Sequence, residues 1–224
     1  MIDITGLPQP DNAPSPGACI RLERPEPGLA VVVLDPPHRS LAVLDVPLVR
    51  DLSAVLEELS STPDLKGVVF TGRAPLSFAA GADIDAIGGL TDSNIALRFV
   101  AGVQGVYNQI EALSKRGVRT VAAVGGPVPG GAFELSLACS RIVLADDPSS
   151  RIGLPETRLG ILPGWGGSQR LPRRIGVPKA LDVILKGTLF AAKQALKLGL
   201  VDRLTPPEYL VSVASEIAMG RTRC

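Results

Sequence analysis

Across 224 residues the chain has a single histidine, His38, and only three cysteines, Cys19, Cys139 and Cys224. One histidine excludes a histidine-rich metal centre, and cysteines this far apart match no zinc-ligand spacing, so no metal site is expected. Widely spaced cysteines also fit a reducing compartment rather than a disulfide scaffold. Neither sign of charge is in excess: 23 Lys plus Arg stand against 22 Asp plus Glu, for a net charge of +1. A general nucleic-acid or anionic-membrane binder needs a basic surplus to neutralise phosphates. Long apolar runs are missing, so no segment is predicted to cross a bilayer. The opening stretch MIDITGLPQPDNAPSPG has neither the basic start nor the apolar run of a signal peptide. Together these absences predict a cytoplasmic globular protein. No G-x-S-x-G elbow occurs, and His38, the sole candidate base, sits in a Pro-Pro-His-Arg stretch that reads as a solvated turn. That excludes a serine hydrolase. The dinucleotide fingerprint and the P-loop are absent as well.

What is present is enough apolar material to fold: 46% hydrophobic against 20% charged residues. Residues 1–18 carry Pro8, Pro10, Pro14 and Pro16 among small polar residues and are predicted to be a mobile tail. Residues 19–224 are predicted to form one domain. Ile20 and Leu22, then the run Leu29 to Leu34, flank a Pro-Gly turn and read as a hairpin. Leu48, Leu52, Val55, Leu56 and Leu59 recur at helical spacing over 46–61. Short apolar strands follow at 67–71, 119–124 and 142–145, with helices at 94–115 and from Gly131 to about Ser140. Further helices are predicted at 178–186, 191–198 and 207–219. Strands alternating with helices give an α/β protein with one main core.

Glycine-rich segments recur at Ala79–Asp83, Gly125–Gly131 and Pro163–Gly167. The second lies between a strand and a helix, where a turn needs glycine and where backbone N–H groups can also face negative charge. Read locally, Glu134 is a first-turn carboxylate favoured by the helix N-terminus, and Glu156 is a loop charge. Asp83 and Asp85 read as N-cap and first-turn residues. Trp165 reads as packing for the loop after Pro163, with an acyl-pocket wall as the other reading. Cys139, among Leu137, Ala138 and Ile142, reads as a small buried hydrophobe. For the basic cluster Arg170, Arg173, Arg174 and Lys179, a phosphate contact and a solvated face stay open.

Taken together, three motifs carry more than their parts. Ser77-Phe-Ala-Ala-Gly-Ala-Asp-Ile84, Gly130-Gly-Ala-Phe-Glu-Leu135 and the long run Leu154 to Gly176 resemble the enoyl-CoA hydratase/isomerase (crotonase) superfamily, with Lys193 to Asp202 adding to the match. The resemblance covers nearly all of residues 19–219. Asp146-Asp147-Pro148 and a two-residue longer gap between the glutamates resemble most the N-terminal hydratase segment of multifunctional fatty-acid-oxidation α-subunits. It implies a crotonase-like spiral of β-β-α turns ending in C-terminal helices, and a CoA thioester as substrate, with no metal and no redox cofactor. It implies an enoyl-CoA hydratase of β-oxidation, with a Δ3-Δ2-enoyl-CoA isomerase or a non-catalytic acyl-CoA-binding or assembly subunit as alternatives. By position, the oxyanion hole falls on the N–H groups of Ala82 and Gly131, and the acid–base pair on Glu134 and Glu156. CoA is expected along Ala80 and Ala82 and the loop at Ala42. A homo-oligomer (trimer or hexamer), or a place in a multifunctional complex, is the implied assembly. Four departures stand out. Ala42 replaces a usual polar residue, Pro127 and Pro129 stiffen the oxyanion loop, and Ala132 adds a Cβ where glycine is common. Family members also continue past the point matching Cys224 into helices that close the acyl pocket, so a shortened C-terminus is expected.

Overall fold

A computed structural model describes residues 7, 9–83, 88 and 92–222. The hairpin forms as its sequence dictates: β1 (Ile20–Glu26) pairs antiparallel with β2 (Leu29–Leu34). β3 (Gly67–Gly72), β4 (Arg119–Val124), β6 (Arg141–Ala145) and β9 (Arg203–Thr205) then add in parallel, giving the order β1-β2-β3-β4-β6-β9. A smaller sheet holds β5 (Pro127–Pro129), β7 (Arg151–Gly153) and β8 (Phe190–Ala191). The helices are α1 (Val46–Ser61), α2 (Ser93–Lys115), α3 (Gly131–Ala138), α4 (Gly167–Ile175), α5 (Val177–Lys186), α6 (Ala192–Leu198) and α7 (Leu210–Ala218). Two turns of the chain run from the large sheet through a short strand of the small one toward a helix: β4-β5 into α3, and β6-β7 through a 3-10 turn into α4. The run β4-β5-α3 is the clearest case, and this is the crotonase-like spiral.

The continuous apolar runs have a structural cause. Parallel strands buried on both faces need no polar alternation. Ala30, Val32, Val68, Phe70, Ala122 and Ile142 face the main core under α1 and α2. Their neighbours Val31, Val69, Val121 and Val143 face a second core closed by Leu210, Ala214 and Ile217 of α7. α1 starts where Asp45 caps it, its Oδ1 accepting from the Leu48 amide at 3.2 Å. α2 is capped in the same way by Asp92, which accepts from Asn94 and Ile95.

The predicted helices and strands of the large sheet fall within a few residues of their observed bounds. The short strands β5, β7, β8 and β9 and helix α4 were not predicted. Three-residue strands are too short to show a period, and two of the three residues in β5 are proline. α4 carries Pro172 in its interior, which hides its helical pattern. The last predicted helix begins instead with a 3-10 turn at Pro207–Tyr209 before α7.

Within the leader expected as a mobile tail, residues 7 and 9–18 form neither strand nor helix. Leu7 is buried in the main core, and Arg50 of α1 donates to the Ser15 carbonyl at 3.2 Å. His38 corrects the solvated-turn expectation. Its side chain is only 3% exposed, and its Nε2 lies 2.7 Å from Asp45 Oδ2, so the turn folds inward onto the α1 cap. Asp85 lies outside the described residues, and Asp83 pairs with Arg39 at 2.6 Å.

Leu52 is fully buried on the α1 face against this core. Leu52→Ala should lower folding stability by about 2–5 kcal/mol, read as a reduced urea midpoint with an unchanged slope.

Candidate active site

Gly131 is the first residue of α3, and the preceding Gly130 takes a positive φ of 54°. Near that start, outside both sheets, Leu44 and Ala82 form an isolated parallel bridge, with the Leu44 amide donating to the Gly81 carbonyl at 2.9 Å. Gly81 has φ of 90°, and a Cβ there would meet the Pro129 carbonyl oxygen at 2.8 Å, so only glycine lets the two loops approach. Among the described residues the amides of Ala82 and Gly131 have no hydrogen-bond partner. Both residues line one cavity of about 350 Å³.

The same cavity takes in both glutamates. Glu134 is 2% exposed, and its Oε1 accepts from the amides of Trp165 at 2.8 Å and Gly167 at 2.7 Å. Burial raises its pKa, while those two amides and the Arg170 guanidinium oppose the rise. Glu156 opens a 3-10 turn (Glu156–Leu159) and is 8% exposed. Its Oε2 is buried without a partner among the described residues. Burial pushes its pKa up to about 7, its own backbone amide opposes this, and the charge of Glu134 adds to it. Neither glutamate is the exposed or merely capping residue that its local sequence suggested. Phe99, Val100, Ile161, Leu162 and Trp165 make the remaining wall apolar.

Trp165 both packs and lines the cavity. Its ring meets Phe99 and Tyr107 edge-on, with centroids 5.8 and 6.2 Å away. The fully buried Tyr107 donates its hydroxyl to the Gly131 carbonyl at 2.9 Å, fixing the start of α3. Of the residues expected on the CoA side, Ala80 donates its amide to Ala42 at 2.8 Å. Ala42 and Ala80 are not among the residues lining this cavity, whereas Ala82 is. Ala132 is fully buried and also lies off the cavity wall. Cys19 and Cys139 are buried, with the Cys19 thiol pushed up to about 12 by burial and then by Asp51 and Asp45. Burial raises Cys139 too. A nucleophilic thiolate is therefore not available at either.

The basic cluster divides. Arg170 turns inward to Glu111, Asn108 and the Trp165 carbonyl, and Arg174 pairs with Asp202 at 2.6 Å. Arg173 stays exposed. Sequence reading missed Tyr107 and Arg170 as supports of the site. Tyr107 sits on the buried side of α2 beside Val103, Val106 and Ile110, but no local pattern names the Gly131 carbonyl as its partner.

A family model described as enoyl-CoA hydratase/isomerase matches residues 24–220, and the chain belongs to that family. The crystal structure of an enoyl-CoA hydratase from Bacillus anthracis is 32% identical, with a TM-score of 0.81, covering 90% of this chain and 76% of that one. Human mitochondrial delta3-delta2-enoyl-CoA isomerase is 29% identical at a TM-score of 0.81, covering 91% and 78%. Pseudomonas aeruginosa DspI is 25% identical, also at 0.81, covering 96% and 85%.

Glu156 yields a test that needs no substrate. Its folded-state pKa of about 7 lies above its ordinary value of 4.5, so its contribution to stability is fully present below about pH 4.5 and is lost as pH rises to about 7. Urea unfolding should show the wild type losing up to about 3 kcal/mol more across that window than Glu156→Gln loses, the remaining loss in the variant coming in part from Glu134.

Proposed function

We propose that the chain is an enoyl-CoA hydratase acting on 2-trans-enoyl-CoA thioesters, in the manner expected for fatty-acid β-oxidation. The observation that carries this reading is one apolar cavity holding two buried carboxylates, Glu134 and Glu156, together with the unpartnered amides of Ala82 and Gly131. The hydratase among its structural relatives supports it.

In this reading the thioester carbonyl oxygen sits between the Ala82 and Gly131 amides. As water adds to C3, negative charge moves onto that oxygen, and two fixed donors in a dry wall stabilise it. Gly131 adds the positive end of α3. Glu134, steadied as an anion by two amides on one oxygen, accepts the proton of the attacking water. Glu156, with a pKa of about 7 and no partner on Oε2, holds a proton near neutrality and delivers it to C2. The proton taken at one carboxyl and given at the other leaves the pair to re-equilibrate through product release and the next water. CoA runs past Ala80, Ala82 and Ala42. The reaction asks for no metal or redox group, and the homo-oligomer and cytoplasmic setting expected from the sequence belong to the same proposal.

A second reading, Δ3-Δ2-enoyl-CoA isomerisation, draws on Glu156 alone. One carboxyl of near-neutral pKa facing an apolar pocket can take a proton from one carbon and return it to another. The isomerase among its structural relatives favours keeping it.

The test is hydration of 2-trans-butenoyl-CoA by the wild type and by Glu134→Gln and Glu156→Gln. Each substitution should cut kcat by about 10²-fold or more while leaving thioester binding in place. Isomerisation of a 3-enoyl-CoA should fall further with Glu156→Gln than with Glu134→Gln. Binding without any turnover in the wild type would sink both enzymatic readings in favour of a non-catalytic acyl-CoA-binding or assembly subunit.

A further inference from the structure

Glu134 is held by the backbone of a segment, Trp165–Gly167, that belongs to no strand and leads into the first residue of α4. Such a segment positions a carboxylate only if something positions it. The Trp165 amide donates to Glu134 Oε1 at 2.8 Å, and the carbonyl of the same residue accepts from Arg170 Nη1, also at 2.8 Å. The rest of the guanidinium reaches across to α2: Nε donates to Glu111 Oε1 at 2.6 Å and Nη2 to Asn108 Oδ1 at 2.8 Å. The Arg170 side chain is 7% exposed, and its own amide closes on the Gly166 carbonyl at 2.8 Å. Gln104 of α2 adds a second tie, donating to the Gly164 carbonyl at 2.7 Å. Arg170 is absent from the wall of the cavity that holds the glutamates. It lines a separate polar pocket of about 250 Å³ with Asn108, Glu111 and Gly166.

We propose that Arg170 is a positioning residue for Glu134, its planar fork clamping the Trp165–Gly167 segment to α2 so that two amides stay aimed at one carboxylate oxygen. The role rests on the acid–base reading of Glu134 given above. Three donors in a rigid plane suit this task because they fix orientation in two directions at once, which a lysine ammonium cannot do. Asn108 and Glu111 lie on the turns of α2 that follow the cavity-wall residues Phe99 and Val100, and neither lines that cavity, so the clamp ties the site to the long helix rather than to substrate.

Arg170→Met and Arg170→Lys in the full chain provide the test, with hydration of 2-trans-butenoyl-CoA as the assay. Both should lower kcat by about 10- to 100-fold and leave KM within about 2-fold, because no substrate contact is removed. In a Glu134→Gln background Arg170→Met should cost less than about 2-fold more, since the group it acts through is already disabled. Trp165 is the only tryptophan. Its emission should shift to the red and its quenching by acrylamide should rise in both variants at urea concentrations where each remains folded. A raised KM with unchanged kcat, a full multiplicative loss in the Glu134→Gln background, or unchanged Trp165 quenching would each overturn the proposal. Should Arg170→Met fail to fold, Asn108→Ala loosens the same clamp from its far side and carries the same readouts. If the wild type turns over no enoyl-CoA, the reaction reading fails by itself. The quenching comparison then decides the clamp: a rise supports it, and no change overturns it.

Discussion

Burying the Glu134 carboxylate at 2% exposure would cost several kcal/mol if its charge were left uncompensated. Two backbone amides on one oxygen offset part of that cost, and they come from Trp165 and Gly167, more than thirty residues further along the chain. The bond therefore locks one turn of the spiral to the next. It also dictates local chemistry: a Cβ at Gly167 would come within 3.0 Å of Glu134 itself, and one at Gly131 would come within 2.2 Å of the Trp165 ring. The cavity, the helix start and the loop after Pro163 are consequences of seating one charge.

Around that bond the wall is kept apolar, and the second glutamate bears the effect. Among the described residues Glu156 has no donors from another segment to hold its anion, so desolvation and the neighbouring charge of Glu134 move its pKa to about 7. Two carboxyls of the same chemistry are thus distinguished by their hydrogen bonds. One is fixed on one oxygen by the fold, and the other keeps an oxygen unpaired. An orphaned buried acceptor is a loss to folding that a stable core would avoid, and it is tolerated where a ligand or a proton completes it.

Much of the frame could be read from the residues because it depends on local pattern. The β-branched runs at 29–34 and 119–124 and the leucine stripe of α1 each carry their own period. The glycine-rich segments and the two glutamates were likewise found by motif. What escaped reading is set by contacts between distant segments. The β5 sequence Pro-Val-Pro becomes a strand only because Arg151–Gly153 lies beside it. His38 looked solvated because its partner is the cap of a helix seven residues on, a contact that turn composition does not encode. In the basic run, helical spacing turns Arg170 and Arg174 one way and Arg173 another. Which side faces inward depends on Glu111 and Asn108 on a helix about sixty residues earlier.

The same distance between cause and effect explains why the site is built on helices and backbone rather than on a cluster of polar side chains. Every polar side chain added to an apolar cavity needs its own partners, and each partner would have to be buried too. Backbone amides avoid that regress, since α3 and the turn before α4 must leave N–H groups unsatisfied at their starts in any case. The molecule uses those helix-start amides twice: Gly131 lines the cavity, and Gly167 donates to the Glu134 carboxylate that lines it too. Charge is then needed from only two carboxyls, and the remaining wall can stay apolar enough to admit an acyl chain and exclude bulk water. A single buried arginine outside that wall, satisfied by Glu111, Asn108 and the Trp165 carbonyl, steadies the arrangement without adding polarity to it.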